Sequence, residues 1–103
     1  MAETRANPRN RSLLRGTVVY SEGRHSFPCS IRDWSDTGAR ITFPVGQLFP
    51  SQLFLVNTQK GTGHKAEVVW AGSTQAGLKF LATFGMNDVP TDLAYLRRFG
   101  ATR

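Results

Sequence analysis

The sequence predicts a mainly β protein: a small six-stranded antiparallel β-barrel with a short C-terminal helix. Three observations support this fold class. Apolar and polar residues alternate in several short runs, which is the pattern of strands with one buried face. Turn residues separate these runs at intervals of about ten residues, as in small barrels and sandwiches. With 103 residues, the chain has room for one domain with one hydrophobic core.

The first two predicted strands form a hairpin. Residues 13–20 are rich in β-branched and aromatic side chains, residues 21–23 read Ser-Glu-Gly and favour a turn, and residues 25–31 alternate between apolar and polar. Cys29 lies on the apolar side of this alternation, so we expect it in the core. As the lone cysteine of the chain, it has no partner for an internal disulfide.

Four more strands are predicted over residues 39–43, 52–57, 64–70 and 75–80. Prolines and a glycine between the third and fourth of the six mark a loop that no central strand could contain. In the fifth strand, strict alternation puts Trp70 on the same face as Ala66 and Val68. The period changes between Asp88 and Phe99, where apolar residues recur at helical spacing. This predicts a short helix that would plug an end of the barrel or cover an edge.

The connection between the second and third strands carries more chemistry than a turn requires. It reads Asp33-Trp34-Ser35-Asp36-Thr37-Gly38. A hairpin needs only a tight turn with a glycine at a position of positive φ, so the two carboxylates and the tryptophan are surplus. Two interpretations stay open: Asp33 and Ser35 bond the local backbone of a structural turn, or they bind a ligand.

The charge pattern favours anionic partners. The chain carries a formal net charge of +6, with four arginines in its first fifteen residues and three in its last seven. The first ten residues have no apolar periodicity and contain turn-forming residues. We therefore predict a flexible arginine-rich arm over residues 1–12, a barrel over residues 13–85, and a helix and tail over residues 86–103.

Several classes of protein are disfavoured by what the sequence lacks. No apolar run approaches the roughly 20 residues that a membrane-spanning helix needs, and no signal-peptide pattern is present, so we expect a cytoplasmic protein without a membrane span. The two histidines and the cysteine show no metal-ligand spacing. Ser35 has no paired base, and there is no glycine-rich phosphate loop. We therefore expect neither an enzyme nor a metal or cofactor site.

The arginines and the turn together suit a guanine nucleotide. Arginine presents a planar fork of donors that matches phosphate oxygens and the O6 and N7 edge of guanine. The carboxylate of Asp33 could accept hydrogen bonds from the N1 and N2 donors of guanine, which adenine does not offer in the same arrangement. Ser35 could bind base or phosphate, and Gly38 permits the close approach of a backbone or ligand.

These residues resemble the PilZ domain family, the bacterial receptors for cyclic di-GMP. Residues 33–38 match its (Asp/Asn)-x-Ser-x-x-Gly signature, and an Arg-x-x-x-Arg element lies upstream, as the family requires. That element fits twice, as Arg5 with Arg9 and as Arg11 with Arg15. The family places the pair just before the first strand, which favours Arg5 and Arg9, keeps Arg11 as a helper and leaves Arg15 as a charge on the strand surface.

The resemblance implies a ligand, a mechanism and a set of site residues. The protein would be a non-enzymatic receptor that binds cyclic di-GMP on the outside of the barrel, needs no other cofactor, and changes a surface for a downstream effector protein in motility, adhesion or exopolysaccharide control. The ligand-binding residues that it implies are Arg5, Arg9, Arg11, Asp33, Ser35, Gly38, Trp70 and Gly77.

Alternatives remain for some residues and for the function. Trp70 could stack on a guanine or lie in the core, Trp34 could pack on the barrel or contact the ligand, and Gly77 could permit close approach or mark a bulge. The chain could also be a PilZ-like interaction module that binds no ligand. A small basic barrel that binds single-stranded nucleic acid is a further option. We predict that Phe27, Phe43 and Phe80 lie in the core, which disfavours a nucleic-acid partner.

Overall fold

The fold is a closed six-stranded antiparallel β-barrel, as predicted. The structure is a computed structural model; it describes residues 10–100, with side chains over residues 14–99. The strands are β1 (Asn10–Tyr20), β2 (His25–Trp34), β3 (Gly38–Thr42), β4 (Gln52–Asn57), β5 (Thr62–Ala71) and β6 (Gln75–Gly85). Around the barrel their order is β1, β2, β3, β6, β5, β4, and β4 pairs with β1 to close it.

Several strands are longer than predicted, and the end of β2 matters most for the site. Asp33 pairs with Arg40 of β3, and Trp34 pairs with Ala39. These two residues were expected in a turn, and that expectation is wrong. The ladder resumes beyond a bulge in which Arg32 is the additional residue of β2. Residues 32–38 are mostly polar and turn-forming, so the sequence did not indicate that β2 continues to Trp34.

The barrel interior holds the main hydrophobic core. The apolar side of β2 contributes Phe27, Cys29 and Ile31, which share this core with residues of other strands such as Ile41 and Leu55. The prediction that Cys29 belongs to the core is confirmed. Burial raises the pKa of the Cys29 thiol to about 12, so the thiol stays protonated and unreactive at neutral pH.

His64 is a buried polar residue in an otherwise apolar environment. Its ring nitrogens Nε2 and Nδ1 each lie 2.9 Å from a hydroxyl oxygen, of Thr62 and Thr83 respectively. Phe80 stacks on the imidazole at 4.3 Å between ring centroids, and the Trp34 ring lies edge-to-face with it at 4.9 Å. Burial lowers the pKa of His64 to about 4. The imidazole is therefore neutral at pH 7, with both nitrogens hydrogen-bonded.

The C-terminal segment packs on the outer wall of the barrel. It forms two 3₁₀ turns, Met86–Asp88 and Thr91–Leu96, and one α-helical turn, α1 (Arg97–Gly100). The predicted short helix is thus present. It lies against the outer wall and so does not plug an end, and it covers no edge because a closed barrel has none. Its apolar residues form a second cluster with outward-facing residues of β1 and β4. No helix among the described residues has the length and apolar character needed to cross a membrane.

Strands β3 and β6 approach each other closely at Gly38. This residue pairs with Lys79, and a Cβ atom built on it would overlap the carbonyl oxygen of Leu78. Its φ is not in the positive range. A positive φ is therefore not the reason for a glycine here. The missing side chain permits the close approach of the β6 backbone, which is one of the two possibilities stated for Gly38.

We expect Gly38→Ala to destabilise the barrel by about 1–3 kcal/mol, because the new methyl group forces β3 and β6 apart. Urea denaturation of the variant and the parent measures the difference. Gly85→Ala is the matched control, since a Cβ on Gly85 meets nothing within 4 Å and its φ is not positive. Equal free energies of unfolding for the two variants would contradict the steric explanation.

We also expect the free energy of unfolding to fall as the pH drops from about 6.5 toward 4. In this window the unfolded chain protonates His64 at its ordinary pKa of 6.5, whereas the folded protein keeps the ring neutral. The contribution amounts to about 3 kcal/mol over the window. Denaturation curves at several pH values should show a flatter pH dependence for His64→Gln. The exposed His25 provides a control, and a slope reduced equally by His25→Gln would argue against the assignment.

Candidate functional site

The turn between β2 and β3 consists of residues 35–37. The backbone N–H of Ser35 donates to the carbonyl oxygen of Gly38 at 2.9 Å and closes the hairpin. The Ser35 hydroxyl lies 3.3 Å from that same carbonyl oxygen and from the backbone nitrogen of Thr37. The interpretation as a structural turn is therefore correct for Ser35. Because these hydroxyl contacts are long, a ligand atom can replace them at low cost.

Trp34 anchors the base of this turn to the barrel. Its ring centroid lies 5.3 Å from that of Phe80, and the indole also contacts His64. The backbone N–H of Phe80 in turn donates to the carbonyl oxygen of Thr37 at 2.8 Å. Of the two alternatives for Trp34, packing on the barrel is the one observed.

Asp33 is a largely buried carboxylate paired with an arginine of the next strand. Arg40 Nε donates to Asp33 Oδ2 at 2.7 Å, and Arg40 Nη1 donates to Gln75 Oε1 at 3.1 Å. The side chain of Asp33 is 11% exposed, whereas that of Arg40 is 36% exposed. A carboxylate removed from water loses several kcal/mol of solvation, which a paired guanidinium offsets. Asp33 thus forms an ion pair with a side chain on β3.

The strand register puts four of the predicted site residues, together with Arg40, in one row across the barrel. Arg11 on β1 lies opposite Asp33, Asp33 opposite Arg40, Arg40 opposite Gly77, and Gly77 opposite Trp70. Since neighbouring strands lie about 4.8 Å apart, the row spans roughly 20 Å. Residues that are far apart in the chain therefore become neighbours through backbone pairing alone.

Trp70 lies on the surface and covers Gly77. A Cβ atom built on Gly77 would overlap the indole ring, which is 47% exposed. The core alternative for Trp70 is wrong, because Val69 is an additional residue in β5 and breaks the strict alternation. The bulge is thus in β5 and not at Gly77 on β6. The indole of Trp70 packs directly on Gly77, which has no side chain to displace it.

These residues line a surface groove of about 410 Å³. Every predicted site residue whose side chain is described lines this groove. Residues of β2, β3, β5 and β6 and of the turn between β2 and β3 form its surface. Its lining consists of Asp33, Ser35, Thr37, Gly38, Ala39, Arg40, Val69, Trp70, Gly77, Leu78 and Lys79. The groove therefore offers one carboxylate, two cationic side chains, an indole and a hydroxyl-bearing turn.

Sequence reasoning missed Arg40 and Lys79. A signal for Arg40 was present in the hairpin: if the strands continue until Ser35 lies opposite Gly38, residues 33 and 40 also lie opposite each other, as observed. Lys79 carries no comparable signal, because its place beside Gly38 depends on the pairing of β3 with β6.

The arginine predictions fall partly outside the described residues. Arg5 and Arg9 precede Asn10, where β1 begins, and the side chain of Arg11 also lies outside the described part. Arg15 is an exposed residue of β1, as predicted, and is not part of the groove.

A larger groove, of about 790 Å³, lies along β1 and β2, but it has few groups that could bind a charged ligand. Hydroxyl side chains and two prolines dominate its described lining, in which Arg15 is the one charged residue and no carboxylate is present. Among the residues with described positions, no group of three or more His, Cys, Asp and Glu side chains could hold a metal ion. The smaller groove, with its paired charges and exposed indole, is therefore the better candidate for a binding site.

Comparison with known proteins identifies the family of the chain. A family model described as PilZ domain matches residues 3–97, a span that includes the whole barrel, the groove and both candidate arginine pairs. No curated protein sequence matches at a significant level. The chain therefore belongs to the PilZ domain family, a family of cyclic di-GMP receptors.

Proposed function

We propose that this chain is a non-enzymatic cyclic di-GMP receptor that binds the messenger in the 410 Å³ groove and signals to an effector protein. The observation that carries the proposal is the cross-strand row, which brings Asp33, Gly77 and Trp70 into one groove although they come from three different strands. A structural turn alone would not require such a grouping.

The groove has the groups that guanine recognition requires. Asp33 can accept hydrogen bonds from the N1 and N2 donors of guanine, and Ser35 can bind a base or phosphate atom. The exposed indole of Trp70 offers a surface for stacking, which is worth about 1–3 kcal/mol per base. Adenine lacks the matching donor pair, so the same groove would discriminate against cyclic di-AMP.

Arginines at the N-terminus complete the proposed site. Because Arg11 lies opposite Asp33 in the register, the start of β1 lies beside the groove. In the proposed mechanism Arg5 and Arg9 close over the ligand and neutralise its two phosphate charges through bidentate hydrogen bonds. Arg11 assists from the start of β1.

Ligand binding would fix the N-terminal arm on the barrel and so create a new surface for a downstream effector. This is a shift between states that the ligand favours through its contacts with the arginines. We propose that the effector acts in motility, adhesion or exopolysaccharide control and that the receptor works in the cytoplasm. No further cofactor is needed for this role.

The rival functions receive less support. A module that binds no ligand would not need a buried carboxylate paired at the edge of a groove with an exposed indole. A barrel for single-stranded nucleic acid needs several aromatic rings on one exposed face. Phe27 and Phe43 are each 6% exposed and belong to the core, so they are not available to stack on bases.

An amide NMR titration tests the proposal directly. With cyclic di-GMP we expect shifts at residues 5–11 and 33–38 and at the indole N–H of Trp70, because these groups would contact or cover the ligand. Cyclic di-AMP should cause little change. A spectrum unaffected by cyclic di-GMP would favour the module that binds no ligand.

Calorimetry on arginine variants tests the arm. We expect Arg9→Ala to lower the affinity for cyclic di-GMP by about 10-fold or more, the value of one charge-assisted hydrogen bond. Arg5→Ala should have a similar effect, and binding to the parent should weaken with salt. Arg15→Ala removes the same charge outside the groove and should change little. Affinity that survives both arm substitutions would refute the assignment of Arg5 and Arg9.

A further inference from the structure

Arg40 connects three strands of the groove. It lies on β3 and donates from Nε to the carboxylate of Asp33 on β2 and from Nη1 to the side-chain amide of Gln75 on β6. These contacts use two edges of one planar guanidinium group, so the plane of that group is fixed at two points. A residue with both contacts is more constrained than a cation in a simple surface ion pair.

This geometry determines how the carboxylate of Asp33 is presented. The Cβ–Cγ torsion of aspartate is broad, so an unrestrained carboxylate samples a wide range of orientations. The 2.7 Å bond from Arg40 holds Oδ2 toward β3 and thereby restricts the rotation of the carboxylate. Two coplanar donors, such as N1–H and N2–H of guanine, need a carboxylate in one defined plane.

We propose that Arg40 is a positioning residue that sets guanine selectivity by orienting Asp33. The inference rests on the proposed function, since it assigns Asp33 to the guanine edge. Arg40 acts through Asp33, and Gln75 holds the guanidinium of Arg40 in turn. Loss of Arg40 should therefore lower the ratio of the affinities for two ligands that differ only in their bases, and not merely lower both affinities equally.

The test compares cyclic di-GMP with cyclic di-IMP, whose bases lack the 2-amino group and hence the N2 donor. We expect the parent protein to prefer cyclic di-GMP by about 30-fold in calorimetry, the value of a hydrogen bond to a charged acceptor. In Arg40→Gln this preference should fall to about 3-fold. Arg32→Gln is the matched control: it removes the same charge from the exposed residue next to Asp33 and outside the groove, and it should retain the parent's preference.

Two further variants separate orientation from charge. Arg40→Lys keeps the positive charge but lacks the planar fork, so we expect its preference to be as low as that of Arg40→Gln. Gln75→Met removes only the second anchor from an exposed position, keeps the bond between Arg40 and Asp33, and should give an intermediate preference. Gln75→Met also tests the proposal if substitutions of Arg40 prevent folding. A full preference in Arg40→Lys or in Gln75→Met would overturn the proposal.

A double-mutant cycle decides whether Arg40 acts through Asp33. In the Asp33→Asn background, Arg40→Gln should change the ratio of the two affinities by less than about 2-fold, because the group that it orients is already altered. An undiminished effect in that background would show that Arg40 reads the base by another route. If the parent binds neither dinucleotide, the proposed function fails; if it binds and discriminates but Arg40→Gln discriminates equally well, this inference alone fails.

Discussion

The pairing of β3 with β6 is the constraint on which the rest of the site depends. These strands are far apart in the chain, and their contact joins the hairpin that carries Asp33 to the hairpin that carries Trp70. The contact is tight at Gly38, where a side chain would collide with the backbone of β6. The glycine of the signature is thus a requirement of barrel closure, and the groove is a consequence of it.

The charge arrangement explains how an acidic group can be kept buried next to a surface groove. A carboxylate that is largely removed from water needs a partner to avoid a large loss of solvation. Arg40 provides that partner from the neighbouring strand and remains partly exposed. Because Asp33 is already desolvated and held in place, little ordering of this group would be needed when a ligand binds.

Packed aromatic rings of the barrel hold the turn between β2 and β3 in place. Trp34 and Phe80 pack against a neutral, fully hydrogen-bonded His64, and the backbone of Phe80 binds the turn directly. The low pKa of His64 keeps a charge out of this packing at neutral pH. In the proposed mechanism this half of the site is preformed, and the N-terminal arginines supply the half that rearranges.

The sequence by itself determined the fold class and singled out several residues of the candidate site. Alternation and turn spacing predicted six strands, a single core and the burial of Cys29, since these features depend on local periodicity. Residues 33–38 stood out because their chemistry exceeded that of a turn. Only the tertiary structure decided the exposure of Trp70, the reason for Gly38 and the role of Arg40. Bulges at Arg32 and Val69 reset which residues share a face, and a bulge is fixed by the partner strand, which a single run of sequence does not contain.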